Sequence, residues 1–220
     1  MQKEKLIWDF FEIPHSYMKE EYKKILAELE SYDEIHNDRD IYHLSLVARA
    51  YIEYDKSRYN EDLYKIVDPI FEHLTKLKSW NVLDIKIYSM IGDLTETHEE
   101  AVLLSNTAFG EIEKFNPEQL PEKIIVSLYS NLINRLVMAD YFDSPQMQTL
   151  ELDKLFEEYF KKAYKIAEEN DYKDFISLFL FKRGLFNDDQ GLINKGLELS
   201  KEYSDELYED MKKDLKLYKR

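Results

Sequence analysis

Apolar side chains recur every three or four residues along almost the whole chain, and this spacing limits the fold more than any other feature. It places the apolar side chains on one face of an α-helix, whereas strands would show alternation at every second residue. Five glycines and five prolines among 220 residues are too few for a turn-rich all-β chain or for an α/β fold built on glycine turns. The sequence therefore predicts an all-α protein.

The helices predicted from this spacing and from their caps number about ten, with midpoints roughly 16 to 25 residues apart. Successive pairs span about 40 residues, which is near the period of proteins built from helical hairpins. No clean repeat signature is present, so the repeats are degenerate. We expect one domain over residues 1–220, a right-handed superhelix of tetratricopeptide-like hairpins with one helix of each pair lining the concave face.

Two apolar segments at the ends of the chain need a covering surface. An N-terminal cluster should dock on the body of the protein or on a segment upstream of it; it comprises Leu6, Ile7, Trp8, Phe10 and Phe11. The final helix carries a stripe with no later helix to cover it, formed by Leu207, Met211, Leu215 and Tyr218. This stripe predicts a homodimer through the C-terminal helices, unless it docks back on Phe179 and Phe181.

The composition excludes several classes of protein. A formal charge of −15, from 30 basic and 45 acidic residues, argues against direct binding of nucleic acid, which needs a basic face. The absence of cysteine excludes disulfides and thiolate chemistry and suits a reducing cytosol. No apolar run approaches the ~20 residues of a membrane span, and the first residues do not resemble a signal peptide. We therefore expect a soluble, cytoplasmic protein.

A stretch in the middle of the chain, residues 116–145, is predicted to contain one long helix over residues 122–141. One side of that helix is broadly apolar, and the other carries a stripe of uncharged polar residues and one arginine: Ser127, Ser130, Asn131, Asn134 and Arg135. A solvated face in so charged a chain would carry Glu and Lys. Hydroxyls, amides and a guanidinium suit a groove that hydrogen-bonds a ligand, although the same residues could instead meet neighbouring helices in a partly buried position.

The sequence contains only weak motifs for catalysis or metal binding. An acid lies three residues before a histidine at Asp33 and His36, at Asp40 and His43, and at Glu12 and His15, but these pairs lack the further ligands of a di-iron bundle. No nucleophile elbow, phosphate-binding loop or cysteine nucleophile is present. We expect no catalytic residues, no metal site and no cofactor.

The middle of the chain resembles the C-terminal regulatory region of Rgg/GadR/MutR-type transcriptional regulators, cytosolic peptide-pheromone receptors of Gram-positive bacteria with tetratricopeptide-like repeats. The segments that carry the resemblance are Lys78-Ser79-Trp80, Asp84-Ile85-Lys86-Ile87-Tyr88, Ile91-Gly92-Asp93-Leu94 and a long helix with Asn131 before Asp140-Tyr141-Phe142. It is a likeness of pattern and register over nearly the whole chain. Such regulators begin with a helix-turn-helix domain. This sequence lacks that domain, which suggests either a shortened piece of a longer regulator or a natural relative without a DNA-binding domain.

The resemblance implies quorum sensing through a short extended peptide in the concave groove, with a groove asparagine on the peptide backbone. Asn131 is the matching position by register, and an amide offers a peptide unit both a donor and an acceptor. From the stripe we add Ser127, Ser130 and Asn134, and Arg135 as a partner for a ligand carboxylate. Two alternatives remain: a helical-repeat scaffold that binds a folded partner without a small ligand, and a helical enzyme with scattered acidic residues.

Overall fold

A computed structural model describes residues 2–13, 19–54, 61–139 and 150–218. These residues form eleven α-helices and one short 3-10 turn, Gly92–Leu94, and contain no strand, so the all-α prediction is confirmed. The helices are α1 Lys3–Phe11, α2 Lys19–His36, α3 Arg39–Tyr54, α4 Glu61–Lys76, α5 Val82–Ile91, α6 His98–Ile112, α7 Glu122–Met138, α8 Leu150–Glu169, α9 Lys173–Phe186, α10 Gln190–Tyr203 and α11 Asp205–Leu217. Asp143, Ser144 and Pro145, predicted to close the central stretch, lie outside the described residues.

The helices form two rows. Each odd-numbered helix packs on the next odd-numbered one, from α1 through α11, and the even-numbered helices pack on the odd-numbered ones beside them. Within the described parts of the chain, the even-numbered helices pack less closely on one another than the odd-numbered helices do. Because the more closely packed row lies on the inner side of a curved stack, the odd-numbered helices line the concave face. The predicted superhelix of helical hairpins is therefore confirmed.

Helix α7 joins the two halves of the hydrophobic core. Its Leu128 belongs to a cluster built from α1 to α6, whereas Leu132, Ile133 and Leu136 belong to a second cluster that extends to α11. Its neighbours are α5, α6, α8, α9 and the 3-10 turn. The broad apolar face predicted for this helix is thus buried from both sides, which places its polar stripe at the centre of the concave face.

Helix starts follow the caps that the sequence indicates. Asn81 begins α5 with a capping box, in which its Oδ1 accepts hydrogen bonds from the backbone N–H groups of Leu83 and Asp84. Thr97 caps α6 and Ser204 caps α11 through their side-chain oxygens. Local side-chain chemistry therefore sets where these three helices begin.

One predicted helix is shorter than expected. The apolar spacing after Asn81 predicts one helix over residues 82–94, but α5 ends at Ile91 and the chain continues as the 3-10 turn. A Cβ atom on Gly92 would lie 3.1 Å from Cζ of Tyr88 and 3.4 Å from Cβ of Asn131. The glycine thus allows the turn to approach α7 closely, and it brings Asp93 beside the polar stripe.

The two terminal segments are both docked on the protein. In α1, Leu6 and Phe10 are fully buried, whereas Trp8 is 67% exposed. The stripe of α11 packs into the second core cluster, where Met211 and Tyr218 are buried. The homodimer was expected because this stripe had no covering surface; within the protomer that surface exists.

No helix in the described ranges is long and apolar enough to cross a membrane.

Candidate functional site

The concave face contains a groove formed by two adjoining cavities. The outer cavity, of ≈ 450 Å³, lies against α1, α2 and the start of α7, and the inner cavity, of ≈ 180 Å³, lies against the 3-10 turn, the middle of α7 and α11. The residues that line both are Tyr51, Ser89, Met90, Ser127 and Phe175. A ligand of extended shape can therefore contact both cavities at once.

Three of the five stripe residues line this groove. Ser127 faces both cavities, and Ser130 and Asn131 face the inner one, each being half-buried. The Asn131 Nδ2 atom donates a hydrogen bond of 2.9 Å to the backbone oxygen of Ser89, at the end of α5. That bond fixes the side chain in the groove wall, which both serines also line.

The other two stripe residues lie deeper and line neither cavity. Arg135, only 2% exposed, donates from Nε to the Thr95 oxygen at 3.1 Å and from Nη2 to the Glu96 oxygen at 2.6 Å. Asn134, 8% exposed, donates from Nδ2 to Oδ2 of Asp93 at 2.8 Å. Both side chains therefore hold the segment between α5 and α6 against α7.

The remaining walls are aromatic and were not singled out as site residues from the sequence. Phe10, Phe11 and Tyr22 line the outer cavity. Tyr51 spans both cavities, and its hydroxyl donates to the Met90 oxygen at 2.7 Å. Burial raises the pKa of Tyr51 well above its usual value, so the hydroxyl stays protonated. In the sequence, these residues appear only as part of the apolar spacing of their own helices. They face a groove only because α1 packs on α3.

Charge is distributed unevenly along the groove. At the mouth of the outer cavity, Nζ of Lys123 lies 3.9 Å from Oδ2 of Asp174. This ion pair is exposed and contributes little to the free energy of folding. Around the inner cavity the charged residues among those described are Asp93 and Asp210. Burial raises the pKa of Asp93, while the hydrogen bond from Asn134 and the charge of Lys182 act in the opposite direction. Both charged residues in the described lining of the inner cavity are therefore acidic.

Of the histidines noted in the sequence, His36 and His43 do not line the groove. Asp40 pairs with Lys3 at 2.7 Å, and His43 packs with its ring centroid 5.0 Å from that of His73. Burial, together with the charge of His73, lowers the pKa of His43 to about 4, so the ring is neutral. In the part of the chain that the structure covers, no three His, Asp or Glu side chains are arranged to hold a metal ion; His15 lies outside it.

Comparisons of the chain with protein-family models, with curated proteins and with solved structures find no match. The function is therefore inferred from the groove and from the sequence pattern.

Proposed function

We propose that the chain is the regulatory module of a transcriptional regulator, which senses a short signalling peptide bound along its concave groove. The observation that carries the proposal is the position of Ser127, Ser130 and Asn131 in the wall of a continuous groove with aromatic sides. An extended peptide presents a polar backbone unit about every 3.3 Å with side chains between. A row of hydroxyl and amide groups among apolar walls matches both features.

The dimensions of the groove suit a peptide better than a folded partner. Ligand pockets of roughly 300–1,000 Å³ hold compact groups rather than a protein face, and the outer cavity alone measures ≈ 450 Å³. A helical-repeat superhelix commonly binds extended ligands along its concave side. The groove thus favours a ligand of several residues that occupies both cavities.

The regulatory part of the proposal rests on the sequence resemblance to Rgg/GadR/MutR-type regulators. In such regulators, peptide occupancy of the groove is relayed to a helix-turn-helix domain that reads DNA. By the same resemblance we place the chain in the cytoplasm, where it would meet an imported peptide pheromone. With a formal charge of −15, the chain itself is not expected to bind duplex DNA.

A scaffold for a folded partner is the second candidate, and a separate surface favours it. Trp8 is 67% exposed beside a cavity of ≈ 330 Å³ that Ile7, Phe11, Pro121 and Ile124 help to line. An exposed tryptophan next to an apolar cavity is typical of protein interfaces. Substitution of Trp8 would impair a scaffold and leave peptide binding in the groove intact.

A homodimer also belongs to the proposal, but it requires a different surface from the stripe on α11. Leu207 and Leu215 pack against the second core cluster of their own protomer, together with the buried Met211. Light scattering at a protein concentration of tens of micromolar gives the molar mass in solution. It therefore distinguishes a monomer from a dimer that forms through another face.

The experiment that tests peptide sensing is the substitution Asn131→Ala. Candidate peptides come from short open reading frames beside the gene, and their affinities are measured by fluorescence polarisation. Loss of one hydrogen-bonding amide in a desolvated groove should weaken binding by about 5- to 150-fold, equivalent to about 1–3 kcal/mol. Asn194→Ala, at an exposed position on α10, is the matched control and should leave affinity unchanged.

Affinity, and not stability, is the decisive readout. Asn131 also bonds to the Ser89 oxygen, so Asn131→Ala should lower the melting temperature slightly whether or not a peptide binds. If Asn131→Ala binds the peptide as tightly as the parent while melting earlier, Asn131 is a structural residue and the site assignment is wrong.

A further inference from the structure

Two histidine rings face each other where α3 packs on α4, and neither ring lines the groove. His43 on α3 is only 4% exposed, and its ring centroid lies 5.0 Å from that of His73 on α4. The Nε2 atom of His73 is buried and has no hydrogen-bond partner among the described residues. Because both nitrogens of an imidazolium carry hydrogens, a protonated His73 would hold a buried N–H group without an acceptor. The contact therefore suits two neutral rings.

Cationic groups around the two rings also oppose protonation. Arg39, one turn before His43 on α3, acts against a positive charge on either ring. Lys76, at the end of α4, acts in the same direction on His73. If both rings were protonated, two positive charges would lie about 5 Å apart at a helix interface that already carries a guanidinium.

The carboxylates that favour protonation are already engaged by other groups. Oδ2 of Asp40 lies 2.7 Å from Nζ of Lys3 on α1, and Oδ1 lies 3.0 Å from Nη2 of Arg39. Asp84 on α5 acts on His73, but its Oδ2 accepts a hydrogen bond of 2.9 Å from the backbone N–H of Asn81 in the capping box. Neither carboxylate can therefore turn to a protonated ring without giving up a partner that it has in the fold.

The two protonation states thus favour different arrangements of α3 and α4. Burial, together with the charge of the neighbouring ring, lowers the pKa of His43 to about 4, and burial lowers the pKa of His73 as well. A histidine exposed to water has a pKa of about 6.5. A state in which α4 moves away from α3 therefore binds protons more readily than the packed state, and its population rises as the pH falls from about 6.5 toward 4.

Helix α4 also supports the groove. Its principal neighbours within the described residues are α3 and the 3-10 turn. That turn lines the inner cavity through Asp93 and Leu94. A movement of α4 away from α3 would therefore remove part of the packing that holds one wall of the inner cavity.

We propose that His43 and His73 form a pH-sensitive contact, which holds α4 on α3 while both rings are neutral and loosens when they become protonated below about pH 6. The contact acts whether or not a peptide occupies the groove. It reaches the groove only through the 3-10 turn, because neither ring lines a cavity of the groove.

Hydrogen exchange measured by mass spectrometry tests this contact. Protection factors are compared at pH 6.5 and pH 5.0, so that the intrinsic effect of pH on exchange is removed. Protection of the amides in residues 67–76 of α4 should fall about 10-fold, because each proton gained on opening raises the opening constant by up to about 10-fold per pH unit. Residues 152–167 of α8 are the internal reference and should change by less than about twofold.

Variants separate the two histidines from the general titration of acidic groups. The double substitution His43→Gln and His73→Gln leaves neutral polar side chains and should keep the protection of α4 within about twofold between the two pH values. His36→Gln, at an exposed position on α2, is the matched control and should retain the fall of the parent protein. Unchanged protection of α4 in the parent, or a fall that persists in the double variant, overturns the inference.

Proton NMR of the parent protein provides a readout that needs no variant. The Hε1 resonance of His43 should titrate with a midpoint well below about 6.5 while the protein remains folded, because the ring is buried against His73. A midpoint at or above about 6.5 would overturn the inference, even if the double variant failed to fold.

Discussion

Arg135 shows how a polar side chain close to the groove can stabilise the fold. It is among the largest fully buried side chains of the described residues, and its guanidinium reaches the carbonyls of Thr95 and Glu96. A buried guanidinium is stable only when its donors are satisfied, and turn carbonyls require partners as well. Arg135 therefore fixes the turn that carries Asp93, although it lines neither cavity.

We expect Arg135→Ala to lower the free energy of unfolding by about 3 kcal/mol. The substitution removes two charge-assisted hydrogen bonds and leaves the buried Thr95 carbonyl and the partly buried Glu96 carbonyl without these donors. For a chain of this size the loss corresponds to a fall in melting temperature of roughly 6–12 °C, measured by circular dichroism. Arg49→Ala is the control: its pair with Glu30, 2.6 Å apart, is exposed, so the loss should stay below about 1 kcal/mol. Equal melting temperatures for the two variants would contradict the structural role of Arg135.

At the scale of single elements, α9 and α10 are packed unusually closely. A Cβ atom on Gly196 would lie 2.7 Å from both the Phe181 nitrogen and the Ser177 oxygen, and one on Gly184 would lie 2.6 Å from the Ile193 nitrogen. These contacts are with backbone atoms, which cannot move without displacing a helix. The almost wholly apolar α9, with Phe179 and Phe181 fully buried, is thereby held between α8 and α10.

Gly196→Ala should therefore destabilise the protein, although alanine is the better helix former. The steric overlap should cost about 1–3 kcal/mol, which exceeds the gain of roughly 0.5–1 kcal/mol from helix propensity. Gly110→Ala on α6 is the matched control, because its Cβ would meet nothing within 4 Å; there the propensity gain stands alone and the variant should be more stable than the parent. Urea denaturation measures both. An increase in stability for Gly196→Ala would show that the two helices can move apart.

The sequence predicted those features of single helices that a local sequence signal determines. The apolar spacing of α7 predicts both its buried face and its polar stripe, and Asn81, Thr97 and Ser204 mark helix starts through their own side chains. The end of α5 could not be predicted from the sequence, because the 3-10 turn depends on the approach of Gly92 to Asn131, which lies 39 residues away in the chain. For the same reason the stripe could not be divided in advance into residues that line the groove and residues that lie beneath it.

At the scale of the whole molecule, the groove is assembled from parts of the chain that have no local relation. Its lining runs from Phe10 on α1 to Asp210 on α11, with residues from every odd-numbered helix and Tyr22 from α2. Helical spacing identifies which side of each helix is apolar, but not which of the two rows it joins. The hydrogen-bonding part of the site was therefore predictable from α7 alone, whereas the aromatic walls and Asp93 required the packing of the superhelix.

The net charge of −15 is also a property of the whole molecule, and we expect it to make the protein more stable in salt. Most ion pairs among the described residues are exposed, such as Lys76 with Glu72 and Lys162 with Glu158, and contribute little to stability. Repulsion among the excess acidic groups acts over the Debye length, which shortens from about 30 Å at 0.01 M to about 8 Å at 0.15 M. Screening should therefore remove more repulsion than attraction.

The expected result is a rise of a few degrees in melting temperature between 10 and 150 mM NaCl at pH 7, followed by circular dichroism. Near pH 4.8, the sequence isoelectric point, the net repulsion vanishes and the same change in salt should have little effect or the opposite sign. The buried pair of Lys182 and Asp214 is shielded from salt and does not alter this comparison. A melting temperature that falls with salt at pH 7 would mean that the surface ion pairs stabilise the fold more than the excess charge opposes it.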